Sequence, residues 1–121
     1  MPLILLVEDS SFARKMTGNI LKTAGYEVIE AENGLKGLEL VQSHSPDCIL
    51  ADILMPEMDG LGLLQALKDR DSRVPIVMMT ADVQSQTRQD CLRLGAWDVL
   101  YKPPRAETLL LALEKALAGG R

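Results

Sequence analysis

Five side chains capable of chemistry stand at the ends of short apolar runs. Glu8 and Asp9 follow Leu3–Val7, Asp52 ends Cys48–Asp52, Thr80 ends Ile76–Thr80, and Lys102 follows Val99–Tyr101. Three carboxylates brought together repel one another, and a hard divalent cation offsets that repulsion. Carboxylate, carbonyl and water oxygens suit Mg²⁺ or Mn²⁺. A lysine and a hydroxyl at the same place suit a phosphoryl group, whose charge the ammonium offsets and whose oxygen the hydroxyl can bond. An aspartate can act as nucleophile and become an acyl phosphate. The chemistry these residues spell is phosphoryl transfer to a carboxylate. For any one acid alone, a solvated strand-end residue is the better reading. For acids on two run ends with a hydroxyl and an amine on two more, it is the poorer one.

These groups meet only if the runs are parallel strands of one sheet. The runs Leu3–Val7, Glu27–Ala31, Cys48–Asp52, Ile76–Thr80 and Val99–Tyr101 are short, apolar and mostly rich in β-branched residues. Between them lie stretches with helical spacing: Ala13, Met16, Ile20 and Ala24; Leu35, Leu38 and Val41; Leu63, Leu64 and Leu67; Leu109, Leu110, Leu113 and Leu117. A further helix is predicted near Gln84–Leu94. Ser10 or Ser11 can cap the first helix and Gly25 end it. Asn33-Gly34 and Ser45-Pro46 bound the second, Gly60 precedes the third, and Gly95 ends the fourth. Alternation of strand and helix predicts an α/β domain with a doubly wound parallel sheet and helices on both faces. Ligands of such sheets bind beyond the carboxyl ends of the strands.

The chain has 121 residues, enough for one domain over 1–121, with 118–121 expected as a loose tail. Thirteen basic against seventeen acidic residues give a net charge of −4, which argues against direct nucleic-acid binding by this domain. No apolar run is long enough to span a bilayer, and the apolar start lacks a signal peptide's basic lead. The expected location is the cytoplasm, with no membrane partner. Cys48 and Cys91 lack metal or redox spacing and read as small core hydrophobes. His44 reads as a surface loop residue, and Met55 and Met58 as loop packing, since sulfur matches a hard cation poorly. Arg14, Lys15, Lys22, Lys36, Lys68 and Arg70 are spread out and read as solvated helix faces.

Several pieces together resemble one family: Val7-Glu8-Asp9-Ser10, Asp52-Ile53-Leu54-Met55-Pro56-Glu57-Met58-Asp59-Gly60, Met79-Thr80-Ala81, Gly95-Ala96 and Lys102-Pro103. In this order and spacing the chain resembles the receiver domain of two-component response regulators over essentially its whole length. The resemblance implies a flavodoxin-like, five-stranded sheet of order 2-1-3-4-5, an order for which a chemotaxis receiver is a standing example. It implies that Asp52 is the phosphoacceptor. Glu8 and Asp9 would hold Mg²⁺ or Mn²⁺ with Asp52 and the backbone carbonyl of Leu54. Thr80 would be the switch hydroxyl, Lys102 the phosphate-pairing cation, and Lys102-Pro103 a cis peptide. Leu54 and Asp82 would flank the path of a hydrolytic water. The implied partners are a sensor histidine kinase or phosphotransfer protein, and an output protein or fused output domain. The output partner would be met on the face of the fourth helix, fifth strand and fifth helix. The sequence leans slightly toward a stand-alone receiver over one cut from a longer regulator.

The chain departs from the family pattern where an aromatic usually lies three residues before the lysine, which here is Val99, and after Lys-Pro, which here is Pro104. Tyr101 shares a strand side with Val99, opposite Lys102, and that side is expected to face the fourth and fifth helices. Tyr101 is then the candidate aromatic contact on the partner surface, with Val99 only packing. Three rival functions are weaker. A haloacid-dehalogenase-like phosphatase needs a second aspartate two residues after the nucleophile, where Leu54 stands. A dinucleotide or flavin module needs a glycine- or hydroxyl-rich loop after the first strand, where Glu8-Asp9 would repel an anion. A pseudo-receiver would have lost an acid, the acceptor or the lysine, and all are present.

Overall fold

The computed structural model describes residues 1–53, 55, 58–81 and 85–119. The elements are β1 (Leu3–Val7), α1 (Ser11–Thr23), β2 (Glu27–Ala31), α2 (Gly34–His44), β3 (Cys48–Asp52), α3 (Gly60–Asp69), β4 (Ile76–Thr80), α4 (Ser85–Arg93), β5 (Asp98–Tyr101) and α5 (Ala106–Gly119). The five strands form one parallel sheet of order β2-β1-β3-β4-β5. This is the flavodoxin-like doubly wound α/β fold.

Strand alternation divides the core into two layers. Leu5, Val7, Ile49, Ala51, Met78 and Val99 pack on one face with Leu63, Leu64 and Leu67 of α3 and Cys91 of α4. Leu38 and Val41 of α2 join that layer. Ile4, Leu6, Leu50, Val77, Met79 and Leu100 pack on the other face with Leu21 of α1 and Leu109, Ala112, Leu113 and Ala116 of α5. β3 and β4 are buried along their full length, as expected of inner strands covered on both faces.

The expected helix ends are met by side-chain caps, which satisfy amides that the first helical turn leaves open. Ser10 accepts from the Ala13 N–H at 3.2 Å, Asn33 from Lys36 at 2.9 Å, and Asp59 from Gly62 at 2.8 Å. Gly25 and Gly95 follow their helices with φ of 97° and 101°, a conformation that costs glycine little. The Lys102-Pro103 peptide is cis.

Four expectations are corrected. The buried residues of α1 are Thr17, Gly18 and Leu21; of the expected stripe Ala13, Met16, Ile20 and Ala24, Ile20 packs partly buried on the core, whereas Met16 and Ala24 are exposed. Gly18 faces the sheet, where a Cβ would make ordinary contacts, 3.4 Å from a Glu30 oxygen and 3.8 Å from Leu6. On α2, Gly34 and Gly37 take the core side and Leu35 is exposed. Ala118 and Gly119 belong to α5 rather than to a loose tail. Val99 faces α4, whereas α5 covers the opposite side of the sheet with Leu100, so the Val99 side does not face both helices.

Candidate functional site

The register carries the reactive residues to one edge. Val7 pairs with Ala51, Asp52 with Met79, and Thr80 with Tyr101. Glu8, Asp52, Thr80 and Lys102 thus emerge at the carboxyl ends of four neighbouring elements of the sheet. Glu8 and Asp52 are 1% and 6% exposed, Thr80 is buried, and Asp9 is open to solvent.

The three acids come together. Glu8, Asp9 and Asp52 each offer a carboxylate oxygen within 4.8 Å of the others. Lys102 Nζ donates to Asp52 Oδ2 at 3.0 Å and to Glu8 Oε1. The cation therefore already spans two of the acids. Burial pushes the Glu8 carboxyl above its usual range, and the nearby Asp52 adds to this, while Lys102 works the other way. For Lys102, burial alone would lower the pKa. Its bonds and charge attraction to Glu8 and Asp52 outweigh burial, so the pKa is raised and the amine stays protonated at neutral pH.

The backbone around Asp52 is equally constrained. The Gly60 N–H donates to the Ile53 carbonyl at 2.7 Å, and the Ile53 N–H to Met79 at 3.0 Å. The Gly34 N–H donates to Met58 at 3.0 Å, tying the start of α2 to the loop after β3. Met55 and Met58 pack on the core, as expected of loop residues. Lys102 is anchored through its own N–H, which donates to the Thr80 carbonyl at 2.8 Å.

Tyr101 is 47% exposed and Val99 3%, in keeping with a surface ring beside a packing residue. The Val99 carbonyl accepts from Arg88 Nη1 at 2.8 Å, which ties α4 to the outer edge of β5. Leu54 and Asp82 lie outside the described residues. Cys48 and Cys91 are fully buried, and burial raises the Cys91 thiol pKa.

Arg14 is not the solvated helix-face residue that the sequence predicts. Its side chain is 21% exposed, it donates to the Glu8 carbonyl at 2.7 Å, and it pairs with Glu30 at 3.2 Å. The available signal was its place in the first turns of α1, beyond the end of β1. No pattern of charge spacing on one helix carries that information, because one partner follows β1 and the other lies on β2.

Among the described residues, no helix is long and apolar enough to cross a membrane. Residues 4–114 match the family model described as the response regulator receiver domain. The chain is 42% identical over 115 residues to the chemotaxis protein CheY of Bacillus subtilis, covering 94% of this chain and 96% of that protein. It is 37% identical over 114 residues to the regulatory protein AtoC of Escherichia coli, covering 94% of this chain and 25% of that longer protein. The solved structure of Vibrio cholerae chemotaxis protein CheY4 superposes with a TM-score of 0.89 at 34% identity, covering 95% of this chain and 98% of that one.

Proposed function

The chain belongs to the response regulator receiver domain family, and from that premise we propose that it is a phosphoacceptor switch carrying its phosphoryl group on Asp52. The observation that carries this reading is the contact of Lys102 with Asp52 and Glu8 inside a three-carboxylate cluster at the strand ends.

The donor set fits a hard divalent cation: three carboxylates with oxygens this close repel one another unless a positive charge joins them. Glu8, Asp9 and Asp52 would hold Mg²⁺ or Mn²⁺, with the Leu54 carbonyl as the further ligand that the family pattern assigns. Such an ion, when bound, offsets charge on the acids and on the incoming phosphoryl oxygens.

A carboxylate oxygen of Asp52 attacks phosphorus. A P–O bond to Asp52 forms while the bond from phosphorus to the donor breaks, its electron pair leaving with the donor's nitrogen or oxygen. The donor is a histidine kinase, a phosphotransfer protein or a small phosphodonor such as acetyl phosphate. Lys102 then exchanges its bond to Asp52 for one to a phosphoryl oxygen, and the Thr80 hydroxyl donates to another. Water attack on phosphorus ends the signal: the P–O bond to Asp52 breaks, its electron pair returns to the carboxylate, and inorganic phosphate leaves. The domain spans 1–121 and acts as a switch rather than a turnover catalyst. Its output partner, separate or fused, meets α4, β5 and α5, where the exposed Tyr101 ring supplies the aromatic contact.

With Mg²⁺ and acetyl phosphate, the wild type gains one phosphoryl group by intact-mass measurement. Asp52→Asn gains none, because an amide is a poor nucleophile. Equal labelling of both proteins would remove Asp52 from this role.

A further inference from the structure

We propose that Arg14 is a positioning residue for the cation-binding acids: by gripping the Glu8 carbonyl and Glu30 together, it fixes the Glu8-Asp9 backbone and so sets divalent-cation affinity. The inference rests on the reading of Glu8, Asp9 and Asp52 as the cation site.

Glu8 is held at four points. Its N–H donates to the Ala31 carbonyl of β2 at 3.0 Å. Its carbonyl accepts from Arg14 Nη1 at 2.7 Å. Its carboxylate accepts from Lys102 and, at 3.4 Å, from the Ser10 N–H. The carbonyl matters most for Asp9. The peptide unit is planar, so the Glu8 C=O and the Asp9 N–H turn together. Fixing that oxygen fixes the plane from which the exposed Asp9 side chain starts.

Arg14 can do this because its guanidinium is a rigid fork. Nε holds Glu30 Oε1 at 3.2 Å while Nη1 reaches Glu8. Glu30 precedes Ala31, the residue that takes the Glu8 N–H, so both restraints on Glu8 come from the same end of β2. A lysine at position 14 would keep the charge but lose the two-pronged grip.

Two physical effects oppose each other here. Through space, a guanidinium repels a nearby divalent cation, so removing it would tighten binding. Through the backbone, it organises the ligands, and losing such a supporting contact weakens metal binding by about tenfold or more. The proposal holds that the second effect wins.

The test is Mg²⁺ titration of the unphosphorylated full chain, followed by amide NMR shifts, with melts in the absence of Mg²⁺ alongside. Arg14→Ala and Arg14→Lys are each expected to raise the Mg²⁺ Kd about tenfold, and Glu30→Gln to raise it by a smaller factor. Glu30→Gln also carries the test should Arg14→Ala fail to fold. Tighter binding in Arg14→Ala with unchanged binding in Arg14→Lys would make the effect through-space and overturn the proposal. A lower melting temperature with unmoved Kd in all three variants would make the contact merely structural, and would equally overturn it. Asp9→Asn separates the two readings. If it binds Mg²⁺ as the wild type does, the cation site falls and this inference with it. If it loses affinity while the Arg14 and Glu30 variants do not, this inference falls alone.

Discussion

The Asp52 carboxylate sits in a pocket of backbone as much as of side chains. A Cβ at Gly60 would lie 2.4 Å from the Asp52 carbonyl oxygen, 2.6 Å from Met78 Cε and 2.7 Å from Ile53 Cα. Two of those neighbours are main chain and cannot rotate away. Gly60→Ala is therefore expected to cost about 1–3 kcal/mol, as overpacking of a tight site does, and to slow labelling by acetyl phosphate because the Asp52 backbone must shift. Gly25→Ala is the control: nothing lies within 4 Å of its Cβ, so its cost of about 1–2 kcal/mol is the left-handed backbone alone, with labelling unchanged. Urea unfolding and labelling kinetics on both variants check this, and equal labelling rates would contradict the Gly60 argument. At this scale the reactive groups were legible, because residue type and position after an apolar run decide them. Arg14 was not. A basic residue on an amphipathic helix looks the same whether it points to water or to a strand-end carbonyl, and Glu30 lies sixteen positions away.

The strands were legible to within a residue: four match in full, and β5 begins at Asp98, one residue before the expected start. For β3 and β4, continuous apolar runs buried on both faces leave little freedom in where a strand begins and ends. The helices were less so, since an apolar stripe is only one way to face a sheet. In α1 the polar Thr17 and the side-chain-less Gly18 are buried with Leu21, while the apolar Met16 lies outside. The same logic separates Val99 from Tyr101 on β5. Val99 is buried beside Cys91 and Ala96, and Tyr101 is open. Val99→Ala is expected to lose about 2 kcal/mol of stability from the buried methyl groups, and Tyr101→Ala less than about 0.5 kcal/mol, as an exposed site does. Both should still be phosphorylated on Asp52. Output is where they part: Tyr101→Ala should weaken partner binding or phosphorylation-dependent association, whereas Val99→Ala should not. Pull-down or light scattering of phosphorylated proteins decides this, and a fully competent Tyr101→Ala would remove the ring from the switch surface.

For the molecule as a whole, the site carries a stability cost that a cation can offset. Glu8 and Asp52 are buried next to each other with Asp9 close by, in a chain of net charge −4. Lys102 is one positive charge against three carboxylates, and burial beside Asp52 already pushes the Glu8 pKa up, a sign that the fold disfavours its charged form. Replacing Asp9 by a neutral isostere removes repulsion without emptying the core, since Asp9 is exposed. Asp9→Asn is therefore expected to melt higher than the wild type in the absence of divalent cations. Added Mg²⁺ should reverse the ranking. Free cation at ten times its Kd stabilises the native state by about 1.4 kcal/mol, or roughly 4–6 °C in melting temperature for a domain of this size. Asp9→Asn, having lost a ligand, should gain much less over the same titration. The two melting curves should therefore cross as Mg²⁺ rises. A lower metal-free melting temperature in Asp9→Asn would mean that Asp9 supports the fold rather than straining it. An equal Mg²⁺ increment in both proteins would mean that the cation binds elsewhere. The crossing is the stronger observation, because a general loss of stability or a general response to salt moves both curves the same way and leaves their order unchanged.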